Sequence, residues 1–154
     1  MIAKMVETVM SQKLEEESKK FKSNGSLKKI EELTNRLEKN RILFETIFEM
    51  LPVAVWVVCP EKESIIIYNK EAYEKLGYTN EEFFRMKISD IDVLEDEKQV
   101  KEHIKKVKDE KYDEFETEHR KSDGSAIFAV IKTSFIEFDD KEILCTVVDY
   151  GTGE

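Results

Sequence analysis

Tyr68-Asn69-Lys70-Glu71-Ala72-Tyr73-Glu74-Lys75-Leu76-Gly77-Tyr78-Thr79-Asn80-Glu81-Glu82-Phe83 decides how this chain folds. Tyr68 closes the β-branched run Ser64-Ile65-Ile66-Ile67-Tyr68, which reads as a strand. A short helix follows through Ala72 and Leu76, and Gly77 suits a left-handed stop, because it alone carries no Cβ penalty there. Thr79 then offers its hydroxyl to the Glu82 amide while the Glu82 side chain reaches back, a capping box that starts a second helix.

Upstream, Val53-Ala54-Val55-Trp56-Val57-Val58-Cys59 is another β-branched run, closed by Pro60 and joined to the next strand through a Pro-Glu-Lys-Glu turn. Both runs are apolar on both of their alternating faces, which predicts a sheet covered on both sides. Downstream, residues 69–94 read as short helical pieces, and a longer helix spans about Glu95 to Glu110 with Val100, Ile104 and Val107 on one face. Three strands complete the chain. Tyr112–Arg120 sets Phe115, Thr117 and His119 against acids, Asp123-Gly124 turns into Ala126–Phe138, and Asp139-Asp140-Lys141 turns into Ile143–Asp149. Two strands, then helices, then three strands describe an α+β domain with a five-stranded antiparallel sheet.

The first fifty residues have another texture. Residues 1–22 form a loosely amphipathic, Lys- and Glu-rich helix, broken by Ser23-Asn24-Gly25 before Ser26 caps a second. There Ile30, Leu33, Leu37, Asn40, Phe44, Ile47 and Leu51 recur at heptad spacing. A lone Asn40 on such a seam fixes register and strand number, so Ile30, Leu33, Leu37, Asn40 and Phe44 are candidate dimer contacts. The alternative is that the stripe packs on its own domain. Pro52 ends the helix. The expected division is a helical extension over residues 1–41 and a domain over residues 42–154.

Totals narrow the function. With 25 basic and 34 acidic residues the net charge is −9, which repels phosphate backbones and argues against nucleic acid. Lys19 to Lys29 holds five lysines and no acid, read as a solvated helix junction. No window approaches the roughly 20 apolar residues of a membrane span. The amino terminus has no leader-like pattern. Cys59 and Cys145 sit in apolar runs with no CxxC, as small hydrophobes in a reducing compartment, so a cytoplasmic protein is expected. No phosphate loop, nucleophile elbow or His-Glu-x-x-His is present, which leaves no catalytic residues and no metal site to nominate.

Four elements in this order resemble the PAS family over residues 42–150. They are the leader Leu51-Pro52-Val53-Ala54-Val55, the strand-end Tyr68-Asn69 with its alanine helix, the Leu76-Gly77-Tyr78 stop before the capped helix, and the charged turn Arg120-Lys121-Ser122-Asp123-Gly124-Ser125. The resemblance implies a PAS fold with short helices on one sheet face and a sensor role in signal transduction, as in two-component systems. It further implies a homodimer built by the N-terminal helix, and an effector such as a kinase. The family's alternatives are a ligand-free interaction scaffold, or the input part of a longer sensor histidine kinase. Its last strand often ends Asp-Ile-Thr, where this chain has Asp149-Tyr150-Gly151-Thr152.

Family members hold haem, flavin or a metabolite between sheet and helices, or nothing. The resemblance points Tyr68 into that pocket, with Ile66 on the same face by alternation. Phe128 and Val130, and Cys145 and Val147, follow on the fourth and fifth strands, with Trp56, Ala72, Phe83 and Ile104 completing the wall. The competing reading is a packed core in which these residues touch one another. For haem, His103 is the nominee as axial ligand, but the haem-binding subgroup's histidine falls near Lys98, which weighs against it. Light-sensing members need a cysteine in the helical segment, and none lies between Tyr73 and Glu110, so photoactive flavin is excluded. The cofactor stays open.

Overall fold

The computed structural model describes residues 2–20 and 25–151, so Ser23 and Asn24 of the expected turn lie outside the described residues. The chain forms two compact units that divide between Met50 and Leu51. The first holds α1 (Ile2–Lys20) and α2 (Ser26–Met50). α2 runs unbroken through residues 42–50, so the helical unit extends past residue 41 and stops just before Pro52. Along its seam Ile30, Leu33 and Leu37 are half-buried, while Asn40 and Phe44 are exposed.

The second unit follows the order β1 (Ala54–Cys59), β2 (Ser64–Tyr68), α3 (Lys70–Glu74), α4 (Asn80–Phe84), α5 (Ile88–Ile91), α6 (Glu97–Glu110), β3 (Tyr112–Arg120), β4 (Ala126–Phe138) and β5 (Lys141–Asp149). The five strands form one antiparallel sheet in the order β2-β1-β5-β4-β3. This is the expected α+β architecture.

Several local signals act as their chemistry dictates. The Thr79 hydroxyl accepts from the Glu82 amide at 3.2 Å, and the Thr79 amide donates to the Glu82 carboxylate at 2.8 Å. α6 carries a second capping box between Asp96 and Gln99, which moves its start two residues past the expected Glu95. Asp139 and Asp140 both take positive φ, 51° and 58°, as a two-residue hairpin loop of this hand requires. That tight loop lets β5 begin at Lys141 instead of Ile143.

Asn69 does more than end a strand. It is fully buried; its Oδ1 accepts from the Val55 amide at 3.0 Å and its Nδ2 donates to the Val53 carbonyl at 2.9 Å. One side chain thus sutures the end of β2 to the start of β1. Just beyond, Gly77 has φ +79°, and a Cβ placed on it would lie 2.6 Å from Ser122 Oγ. The loop is held there because the Ser122 amide donates to the Leu76 carbonyl at 2.8 Å and the Tyr78 hydroxyl to the Arg120 carbonyl at 3.0 Å. Gly77→Ala is expected to cost roughly 1–2 kcal/mol, mostly from forcing a side chain into the left-handed region. A urea titration checks this, and an unchanged midpoint would remove the glycine's conformational role.

The core lies between the inner sheet face and α3–α6. Ala54, Trp56 and Val58 supply it from β1, Ala129 and Ile131 from β4, and Leu144 and Val148 from β5. Leu76, Phe83, Ile91 and Val107 close it from the helical side. The outer sheet face keeps Val147 at 39% exposure and Phe128 at 53%.

Candidate functional site

A small cavity of about 60 Å³ lies inside this core, between the inner sheet face and α5–α6. Trp56, Ile131, Leu144, Val100 and Val107 give it apolar walls, and three sets of polar groups interrupt them. Each set can be traced to the element that places it.

The deepest set is His119 on β3. The side chain is 3% exposed, its Nδ1 lies 2.9 Å from the Tyr150 hydroxyl, and its ring sits 5.6 Å from the Trp56 ring. Burial pushes the imidazole down to about 4, partly offset by the Asp92 charge, so it is neutral at pH 7. Burial likewise raises the Tyr150 hydroxyl above the usual tyrosine range.

Thr133 and Thr146 form the second set. They face each other across β4 and β5 with their hydroxyls 3.0 Å apart, both buried. Asp92, also on the cavity wall, is a fixed anchor. Its Oδ2 accepts from the buried Thr117 hydroxyl at 2.8 Å, and its Oδ1 accepts from the Leu94 and Glu95 amides, each at 2.8 Å.

The third set sits at the outer wall. His103 on α6 lies between two carboxylates, with Nδ1 3.0 Å from Glu95 Oε1 and Nε2 2.8 Å from Asp113 Oδ2. The Phe115 ring packs against the imidazole with 4.0 Å between centroids. The bond to Glu95 raises the His103 pKa against the effect of burial, and Asp113 adds to it. Burial pushes Asp113 up, but bonds from Lys106 and His103 outweigh that and leave it lowered. Both His103 nitrogens are engaged, so neither offers a lone pair for an axial bond to haem iron. Among the described residues no group of three or more His, Cys, Asp or Glu is arranged to hold a metal ion.

Of the ten residues expected at a pocket, the structure brings Trp56 and Ile104 to the cavity wall. Tyr68, Ala72 and Phe83 are buried next to it but pack on one another. The Tyr68 and Phe83 rings meet edge-on at 4.9 Å, and the Tyr68 hydroxyl donates to Asn80 Oδ1 at 2.7 Å. Ile66 does not share the face of Tyr68. A bulge opposite Val57/Val58 shifts the register, so Ile65 pairs with Val58 and takes the inner position. Phe128, Val130, Cys145 and Val147 lie on the outer face, because Ala129, Ile131, Thr133, Leu144, Thr146 and Val148 are the buried set on those strands.

A usable signal existed on β3. Alternation there places Phe115, Thr117 and His119 on one face, and the hairpin register pairs them with Ile131, Ala129 and Ile127. The parity of β3 therefore carries over to β4. Hydropathy alone misdirects, since the inner face of β4 and β5 carries two threonines while the outer face carries phenylalanine and valines.

A sequence model of the PAS domain matches residues 52–150. No curated protein is significantly similar to the chain. Among solved structures, the PAS domain of an HTR-like protein from Haloarcula marismortui is 19% identical with a TM-score of 0.72, covering 77% of this chain and 98% of that one. A domain of the sensory box sensor histidine kinase/response regulator from Geobacter sulfurreducens is 15% identical with a TM-score of 0.61, covering 74% and 96%. The PAS domain of the fruit-fly ELK potassium channel is 14% identical with a TM-score of 0.53, covering 71% and 95%. At these identities the structural likeness speaks to fold alone, and it agrees with the family match that spans most of the chain. Across residues 52–150, from just before β1 to just past its last strand, this chain belongs to the PAS domain family.

Proposed function

We propose that this PAS domain is a regulatory sensor module without catalytic machinery of its own, which takes a very small ligand into the cavity beside His119. The observation that carries the reading is a space of about 60 Å³ lined by the buried, neutral His119 imidazole among mostly apolar walls. Sites for drug-sized ligands run to roughly 300–1,000 Å³. The cavity is far below that range, so its occupant has only a few heavy atoms unless the helices move, and haem or flavin would require repacking of the core. A neutral, hydrogen-bonding molecule suits the walls, since Asp92 and Glu95 disfavour an anion.

The relay in this reading is a homodimer built along Ile30, Leu33, Leu37, Asn40 and Phe44, whose helix packing shifts when the ligand favours one arrangement. The recipient is an effector such as a kinase, in cis or in trans, in the cytoplasm. Two free cysteines accord with a reducing compartment. Among the described residues no helix is long and apolar enough to cross a membrane.

A second reading is a ligand-free interaction scaffold, which the tight packing of Ala72, Leu76 and Phe83, each 0% exposed, supports. Native mass spectrometry of the full chain, set against its denatured mass, separates the two. A dimer with added non-covalent mass is the expected result. A dimer without it favours the scaffold, and a monomer overturns the relay.

A further inference from the structure

His103 makes an arrangement that restricts its own protonation state. A neutral imidazole carries one N–H and one lone pair, and only the imidazolium donates from both nitrogens. Ionised carboxylates accept and do not donate. With Glu95 at one nitrogen and Asp113 at the other, both contacts are hydrogen bonds only while the ring is a cation. The three residues come from different elements: His103 from α6, Glu95 from the segment between α5 and α6, and Asp113 from β3.

We propose that His103 is a proton-operated latch on the outer wall of the cavity. As the imidazolium it pins α6 and the Glu95 segment to β3, and loss of one proton releases that edge. Glu95 and His103 both line the cavity, so the same event changes access to it.

The charged groups facing the ring set the sign. Glu95 faces it from the α5–α6 segment and Asp113 from β3, while Lys106 on α6 itself bonds Asp113 at 3.1 Å and lies 3.9 Å from Glu110. Phe115 supplies the remaining β3 contact and carries no charge. Asp92, held by Thr117 and by the Glu95 amide, and neutral His119 also line the cavity. With the imidazolium in place, two carboxylates face two cations. After deprotonation one carboxylate must face a ring lone pair, and the clamp becomes one-sided. The partners hold the His103 pKa above the unfolded value of about 6.5. Its stabilisation is therefore complete below that value and is lost as pH rises through the folded-state pKa.

The test is an NMR titration of the isotope-labelled full chain from neutral to alkaline pH. It reads the His103 ring nitrogens together with amide hydrogen exchange over residues 95–107, corrected for the intrinsic base dependence of exchange. Both ring nitrogens should be protonated on the acid side of a titration that lies above the unfolded value. As the ring titrates, protection over 95–107 should fall on the order of tenfold, the loss expected for one charge-assisted hydrogen bond. His103→Gln should show the weaker protection at every pH. Asp113→Asn should keep the fold and move the transition to lower pH, so it decides the matter if the glutamine variant fails to fold. A His103 that titrates at or below the unfolded value overturns the latch. So does protection over 95–107 that ignores its titration.

Discussion

Trp56→Ala is expected to destabilise the domain by about 4 kcal/mol, within the range of large-to-small aromatic core substitutions. Trp56 is 2% exposed, and its ring packs 6.0 Å from Phe83 and 5.6 Å from His119. It joins the helical side of the core to the inner sheet face and forms part of the cavity wall, so truncation enlarges a void that nothing nearby fills. Against total stabilities of roughly 5–15 kcal/mol, such a loss removes much of what the fold has. Urea unfolding at pH 7 followed by circular dichroism measures it; Trp56 is the sole tryptophan, so fluorescence would lose its reporter. Val147→Ala, on the outer face and 39% exposed, should cost well under half as much. Equal losses for the two would contradict the assignment of faces.

Acid should weaken the fold through His119. Its folded-state pKa of about 4 lies below the unfolded value of about 6.5. The unfolded chain therefore binds a proton that the native chain refuses, and stability is lost as pH falls from about 6.5 toward 4. The full shift corresponds to about 3 kcal/mol. His119→Gln keeps a group able to bond Tyr150 but does not titrate, so the difference between its pH profile and that of the parent isolates this contribution from carboxylates such as Asp113 and Asp123. The parent should lose stability more steeply across this interval. Parallel profiles would mean that His119 is already accessible to protons in the native state.

Much of the architecture was legible because local chemistry and global fold agree. The Thr79 capping box, the Gly77 stop and the two hairpin turns are short-range signals, and they place the elements before any packing is known. The site was less legible for three reasons with particular residues behind them. The bulge at Ile66 breaks period-two alternation, and nothing in three successive isoleucines marks where. Thr133 and Thr146 face inward because they satisfy each other, a pairing that depends on strand register. In the sequence His103 stood out only as a nominee for haem on the long helix and His119 only as a strand residue set against acids. What separates them is which carboxylates reach them: two at His103 and, among the described residues, none in hydrogen-bond contact with His119, whose Nδ1 meets Tyr150.

The adjacency of β1 and β5 has a mechanical consequence. Because Ala54 pairs with Val148, the two ends of the folded unit emerge side by side from the middle of the sheet. Tension applied through the flanking segments would open that pair like a zipper, one hydrogen bond at a time, instead of shearing the whole ladder at once. The domain should thus yield at low force, at the seam where chain enters and leaves. By the same geometry it can be spliced into a longer polypeptide with little change in the path of the surrounding chain.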